Sequence, residues 1–217
     1  MPASLSIVRA TSELVVIDKP AGLLSVPGRG PDKQDCVARR VAAMFPEATG
    51  PLTVHRLDME TSGLMVLGLT PEAHRALSMQ FEARTIDKRY IALLGGRLET
   101  PQGSISLPLR LDVDNRPHQI VDHVQGKQAQ TSFRTLGHER AGDGKWCTRV
   151  EFMPRTGRSH QLRVHAAHHE GLHRPILGDS LYGDASSASR LMLHASELGL
   201  TEPSTGARLT LESPAPF

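Results

Sequence analysis

The sequence has few cysteines and no long apolar segment. Its two cysteines, Cys36 and Cys147, exclude a disulfide scaffold and a four-cysteine zinc site, and we expect two reduced thiols, although one bridge is also compatible. The longest apolar run, residues 63–69, is far shorter than the roughly 18 residues of a membrane helix. Residues 1–10 lack a signal-peptide core because Arg9 interrupts their apolar stretch. We therefore predict a cytoplasmic protein without membrane association.

Lysine is also scarce, and neither sign of charge dominates. The 25 basic residues, of which 20 are arginine, nearly balance 23 acids, so the net charge is +2. Composition alone therefore does not indicate nucleic-acid binding. The segment from Lys145 to Arg174, however, holds six basic residues and two acids, which leaves −2 for the rest of the chain. This local charge fits either phosphate binding or an ordinary solvated basic face.

Strand-like and helix-like segments follow one another without a repeating βαβ rhythm, a fixed-period repeat or a visible linker. We therefore predict an α+β fold: one domain over residues 1–217 with a large mixed, mostly antiparallel sheet and flanking helices. Helices are expected over residues 33–45 (capped by Asp32), after Thr70, and over residues 160–169. Strands are expected over residues 5–8, 14–17, 64–69, 89–94, 105–111, 120–124, 130–134, 146–152, 191–194 and 208–211.

Two clusters of polar residues are candidates for chemistry. The first, residues 54–63, directly precedes the most apolar strand and contains Asp58, which could be catalytic or could simply cap a turn. The second, residues 155–165, is rich in hydrogen-bond donors. Histidines crowd residues 160–173, and three of them are four apart, but no carboxylate stands at ligand spacing. We predict no metal site.

Five ordered motifs resemble the RluA family of pseudouridine synthases. The matching segments span most of the chain, from about residue 13 to residue 195. They are KPAG at residues 19–22, HRLD followed by TSG at 55–63, KRY at 88–90, TGRSHQLRVH at 156–165 and PILGD at 175–179. Residues 170–174 depart from the family pattern, because this approach to PILGD is longer and Arg174 replaces a histidine.

The resemblance implies a pseudouridine-synthase domain with a central catalytic cleft and an isomerase activity that converts uridine to pseudouridine in RNA. The short, dual-specificity members of the family are the most similar, which implies 23S rRNA or tRNA stem-loops, or both, as substrates and no N-terminal S4 domain. The isomerisation moves no electrons or atoms in or out, so we expect no cofactor. A monomer is typical of this type.

The resemblance also assigns roles to residues. It makes Asp58 the catalytic nucleophile or base, pairs it with Arg163, and has Tyr90 stack on the uracil and handle its proton. Because the target base must leave its stack, Arg56 is expected to fill the space that the base leaves. The remaining expected RNA contacts are His55, Lys19, Arg89, Arg155, Arg158 and His160.

Two other functions are weaker interpretations of the same residues. A non-catalytic RNA-binding or ribosome-assembly module would have the same fold but no use for Asp58, Tyr90 and Arg163. A glycosidase using Asp58 and Glu60 would need two carboxylates that flank a sugar. Two positions of one turn, two residues apart, are poorly placed for that.

Overall fold

The computed structural model describes residues 5–217. Residues 1–4, which belong to the segment predicted to lack a signal-peptide core, lie outside the described residues. The chain forms two compact units: unit 1 comprises the residues up to Lys88 together with Ala195–Pro216, and unit 2 comprises Arg89–His194 and Phe217. The boundary between the units therefore falls inside two strands, β5 and β10.

Strands dominate both units, and three α-helices accompany them over the described residues. In chain order the elements are β1 (Ser6–Ala10), β2 (Leu14–Lys19), α1 (Val37–Met44), β3 (Leu52–Thr53), β4 (Ser62–Gly68), α2 (Pro71–Ala83), β5 (Asp87–Gly95), β6 (Gln102–Leu111), β7 (Gln119–Val121), β8 (Lys127–Arg140), β9 (Trp146–Pro154), α3 (Gln161–Ala167), β10 (Leu193–Thr201) and β11 (Arg208–Glu212). None of these helices is long and apolar enough to cross a membrane.

Unit 1 is built around the fully buried strand β4. The hydrogen-bonded order is β1-β2-β4-β10, with β3 beside β4 and β11 beside β10. The pairing of β2 with β4 is antiparallel and sets Lys19 opposite Gly63. Helix α2 begins as predicted, because the Thr70 hydroxyl accepts the backbone N–H of Ala73 at 3.2 Å. Its residue Leu77 is buried in the apolar core of this unit.

Unit 2 contains an antiparallel run of strands in the order β5-β9-β8-β6-β7. Its apolar core joins side chains of these strands to helix α3. Six of the seven residues of α3 are buried, among them Arg163 and His165, so this short helix carries polar side chains inside the unit. Such groups need partners, since an unpaired buried charge is costly.

The predicted α+β class and mostly antiparallel pairing are confirmed, and two helix boundaries are corrected. Helix α1 begins at Val37 and not near residue 33, because Cys36 is extended and the N–H of Val37 bonds to the carbonyl of Leu24. Asp32 lies in a separate 3-10 turn. Helix α3 ends at Ala167 and not at residue 169, because His168 adopts an extended conformation.

A substitution of Gly63 tests the close packing of unit 1. This glycine has a φ of +112°, and a Cβ atom there would overlap the backbone of Ala195. We expect Gly63→Ala to lower the free energy of unfolding by at least about 2 kcal/mol, as measured by urea denaturation. The control is Gly137→Ala, where nothing lies within 4 Å of an added Cβ. Equal stability of the two variants would contradict the packing.

Candidate active site

Asp58 lies on a turn whose backbone is hydrogen-bonded to the loop that follows β2. The hydroxyl of Ser25, itself buried, donates to the carbonyl of Leu57 at 2.6 Å and accepts the N–H of Leu57 at 3.1 Å. The N–H of Gly22 bonds to the carbonyl of Met59 at 2.8 Å. Residues on both sides of Asp58 are thus fixed by hydrogen bonds, while Asp58 itself is partly exposed. This arrangement fixes the backbone from which the Asp58 side chain extends.

Lys19 lies beneath this turn. Its side chain is fully buried, and its Nζ donates to the carbonyls of Leu23 at 2.8 Å, Pro20 at 2.9 Å and Met59 at 3.0 Å. These three bonds match the three N–H donors of an ammonium group. The burial of this ammonium and its three carbonyl partners argue against the predicted phosphate contact of Lys19. Lys19 instead joins the KPAG segment to the Asp58 turn.

His55 also faces the protein in this structure. Its Nε2 accepts the backbone N–H of Val66 at 3.1 Å, and its ring stacks on Phe81 with centroids 4.4 Å apart. Burial, reinforced by the nearby ammonium of Lys88, lowers the pKa of His55 to about 3. The ring is neutral at physiological pH and anchors the start of the turn. The contacts therefore argue against the predicted role of His55 in RNA binding.

Arg56 differs from its neighbours in the HRLD segment. Its side chain is exposed and has no hydrogen-bond or ion-pair partner among residues 5–217. A guanidinium in this state can stack on a base or bind phosphate at little structural cost. The HRLD segment thus alternates in direction: His55 and Leu57 face the protein, while Arg56 and Asp58 reach the surface.

In unit 2, Arg163 is held by a carboxylate that the sequence analysis did not single out. Its Nε and Nη2 donate to the two carboxylate oxygens of Asp179 at 2.9 and 2.6 Å, and both side chains are almost fully buried. Burial opposes ionisation of Asp179, but Arg163 and the N–H groups of Leu181 and Tyr182 hold its pKa below the usual value. This two-point contact fixes the plane of the guanidinium.

Tyr182 connects the region around Arg163 to the start of α3. Its hydroxyl accepts the N–H of Gln119 at 2.7 Å and lies 2.7 Å from Nδ1 of His160. Its ring also lies under Arg163, with the guanidinium carbon 5.5 Å from the centroid. His160 itself has a left-handed backbone with a φ of +53°. The Tyr182 contact therefore accounts for the position of His160, which was predicted to bind RNA.

The loop that carries Arg155 and Arg158 is organised by the buried side chain of Gln161. The Oε1 of Gln161 accepts the hydroxyl of Thr156 at 2.7 Å and the backbone N–H of Arg158 at 3.0 Å. Its Nε2 donates to the Gln130 carbonyl and the Thr131 hydroxyl, both at 2.9 Å. The amide is thus fully used. Both arginines are exposed, as a phosphate contact requires.

Two predicted site residues lie on strand β5. Tyr90 is partly exposed, is paired with Phe152 of β9, and packs against the apolar core of unit 2. Arg89 lies 3.4 Å from Glu151, whose other oxygen is 3.1 Å from Arg134. Glu151 therefore neutralises part of the positive charge available for phosphate. The side chain of Arg89 is still 43% exposed, so its guanidinium can contact a phosphate while it remains paired with Glu151.

The structure divides the basic segment of residues 145–174 into two groups. Lys145, Arg149 and Arg163 form ion pairs with Asp143, Glu139 and Asp179 respectively. Arg155, Arg158 and Arg174 have no carboxylate partner among residues 5–217. The net charge of +4 counted along the sequence is thus partly balanced by three acids that stand outside the segment, at positions 139, 143 and 179.

Comparison with known proteins identifies the family. Residues 13–168 match the family described as RNA pseudouridylate synthase. The chain belongs to this family. A curated relative from Yersinia pestis, dual-specificity RNA pseudouridine synthase RluA, is 45% identical over 207 residues, covering 94% of this chain and 96% of the relative. The protein of the same name from Escherichia coli (strain K12) is 43% identical over 216 residues, covering 98% and 94%.

Solved structures agree with the family assignment. Human RNA pseudouridylate synthase domain containing 1 superposes with a TM-score of 0.79 at 29% identity, covering 100% of this chain and 87% of that one. Human RNA pseudouridylate synthase domain containing 4 gives a TM-score of 0.72 at 26% identity, covering 97% and 88%. The predicted resemblance to pseudouridine synthases is therefore confirmed.

Substitutions of Lys19 and Arg158 separate a buried anchor from an exposed contact. Lys19→Met leaves three carbonyls without their donor, so we expect the free energy of unfolding in urea to fall by about 3 kcal/mol. The dependence of RNA affinity on salt should be unchanged. Arg158→Ala should leave stability unchanged and reduce the slope of log affinity against log salt by about 1.

The control for both is Lys33→Met, because Lys33 is exposed in the 3-10 turn of unit 1. This variant should match the wild type in stability. Unchanged stability of Lys19→Met together with a reduced salt slope would reinstate Lys19 as a phosphate contact.

Proposed function

We propose that the chain isomerises uridine to pseudouridine in structured RNA. In this reaction the bond from N1 of uracil to C1′ of ribose breaks, the uracil turns over, and C5 bonds to C1′. A proton leaves C5 and one is gained at N1, so the atoms balance without a redox step. The observation that supports this most directly is the partly exposed Asp58, on a turn with a hydrogen-bonded backbone, in a member of the RNA pseudouridylate synthase family.

Asp58 is the proposed catalytic carboxylate, acting either as a nucleophile or as a base toward the sugar. Both routes need its oxygen at a constant position relative to the nucleoside, because misplacement by about 1 Å can cost a hundredfold in rate. The hydrogen bonds of Ser25 and Lys19 to the adjacent carbonyls supply this constancy. We propose that Lys19 and His55 act through the turn and not directly on RNA.

Arg163 and Tyr90 are the proposed partners of Asp58. A cation beside a carboxylate favours its ionised form, which either route requires. The two-point contact with Asp179 fixes the plane of the Arg163 guanidinium, as a positioned cation requires. Tyr90 offers a flat ring for stacking and a phenol for proton transfer at C5. We propose that residues 1–217 act together as one catalytic domain.

We propose that exposed and half-exposed polar side chains bind the RNA. We propose that Arg56 stacks in the space left by the extruded uridine, because its side chain is exposed beside the Asp58 turn. Arg155 and Arg158, with Arg89 and His160, are the proposed contacts to the RNA backbone. The proposed substrates are stem-loops of 23S rRNA, tRNA or both, in which the target base is easier to extrude than from duplex. We further propose a cytoplasmic monomer that needs no cofactor.

The Asp58→Asn variant tests the proposed reaction. The amide keeps the size of the side chain but cannot attack or accept a proton as a carboxylate does, so we expect turnover to vanish while RNA affinity stays within about twofold. The assay is release of tritium from C5-labelled uridine in bulk tRNA and rRNA, together with a filter-binding titration.

Asp32→Asn is the matched control, because Asp32 is an exposed carboxylate of the same unit. It should retain full activity. Tritium release by Asp58→Asn at the wild-type rate would contradict the role of Asp58. No release by the wild-type protein, with RNA binding intact, would favour a non-catalytic RNA-binding module.

A further inference from the structure

A group of three histidines and one glutamate lies in unit 2, and its glutamate, Glu170, opens the segment where the chain departs from its family pattern. Helix α3 ends at Ala167, and His168, His169 and Glu170 follow it in a tight turn. Gly171 permits this turn, because a Cβ there would overlap the carbonyl of His165. Because the helix ends at Ala167, it does not align His165, His169 and His173 on one face. His168, His169 and Glu170 instead provide three consecutive donor side chains.

His123 joins this group from a different part of unit 2. It lies in the turn after β7, and its Nε2 is 3.0 Å from one carboxylate oxygen of Glu170 and 3.3 Å from the other. The Nε2 of His169 is 3.9 Å from Oε1 of the same glutamate, Glu170. The rings of His168 and His169 are 4.2 Å apart, centre to centre. Donor atoms from two chain segments therefore converge on one carboxylate.

The spacing of the donor atoms is close to that of a metal site. One ligand atom from each of His168, His169 and Glu170 lies within 4.8 Å of the other two. Around a tetrahedral zinc ion with bonds near 2.1 Å, ligand atoms are roughly 3.4 Å apart. The difference is small for exposed side chains, and His123, His169 and Glu170 are 61, 72 and 40% exposed. Closure around an ion thus requires rotation of these side chains, and His123 approaches the other three through Glu170.

We propose that His123, His168, His169 and Glu170 bind a divalent transition-metal ion of the zinc class. Three imidazoles with one carboxylate favour Zn²⁺, Co²⁺, Ni²⁺ or Cu²⁺ over Mg²⁺ and Ca²⁺, which prefer oxygen ligands. Both cysteines are buried, so thiols do not compete as accessible ligands. The proposal is independent of the proposed isomerase reaction.

Binding requires only local rearrangement. His123 uses its Nε2–H toward Glu170 in this structure, so ligation through Nε2 moves that proton to Nδ1 by exchange with water. Nδ1 of His168 accepts the backbone N–H of Glu170 at 3.2 Å, and ligation through this atom would replace that hydrogen bond. The bound ion would connect the turn after β7 to the end of α3, the helix that carries Arg163.

Titration of untagged protein with Zn²⁺ and Co²⁺ tests the site. Calorimetry should give one saturable Zn²⁺ site per chain, and Co²⁺ should produce visible absorption bands that Zn²⁺ abolishes. We expect the double variant His168→Ala, His169→Ala to weaken binding at least about tenfold, and His123→Ala to do the same. His173→Ala is the control, because His173 is exposed in the same segment and stands outside the group.

A second measurement does not depend on affinity alone. Because a ligand that binds only the folded state stabilises it, Zn²⁺ should raise the midpoint of thermal unfolding of the wild type and of His173→Ala. EDTA should reverse this shift, and His123→Ala should lack it. Absence of saturable binding, equal binding by the double variant, or a full thermal shift in His123→Ala would each overturn the four-residue site.

Discussion

The ammonium of Lys19 is the contact on which the candidate active site depends. A buried cation is costly unless its donors are satisfied, and here three carbonyls satisfy them. Two of these carbonyls belong to the chain just after β2, and the third belongs to Met59, next to Asp58. One side chain therefore ties the turn of one strand to the turn before another. The pairing of Lys19 with Gly63 across β2 and β4 keeps the two turns in register.

Unit 2 holds a buried cation by the same physical principle. Arg163 is buried and pairs with Asp179 through two hydrogen bonds, and the hydroxyl of Tyr182 contacts His160 and the N–H of Gln119. In both units a polar group that must be presented in a fixed orientation is supported by buried polar contacts behind it. Such support limits the motion of a side chain without adding charge at the surface.

The sequence predicted the class of fold, most strands and the family, because apolar strand-length runs, the Thr70-Pro71 helix start and five ordered motifs are local signals. The sequence did not predict features that depend on contacts between residues far apart in the chain. Helix α1 starts late because Leu24 pairs with the extended Cys36, and Lys19 was assigned to phosphate because a motif gives no information on burial. Asp179 stood in a quoted motif, yet only the fold places it against Arg163. The contact of His123 with Glu170 was not predicted, because it joins two distant segments of the chain.

The support of the Asp58 turn by buried polar contacts is tested most directly at Ser25, whose hydroxyl forms hydrogen bonds with Leu57 beside Asp58. The variant Ser25→Ala leaves the carboxylate and every exposed arginine in place and removes only the hydroxyl behind the turn. The measurement is the single-turnover rate of pseudouridine formation at saturating RNA, with the RNA dissociation constant measured in parallel. The account predicts a rate at least about tenfold lower at unchanged affinity. A wild-type rate in a folded Ser25→Ala protein would contradict it.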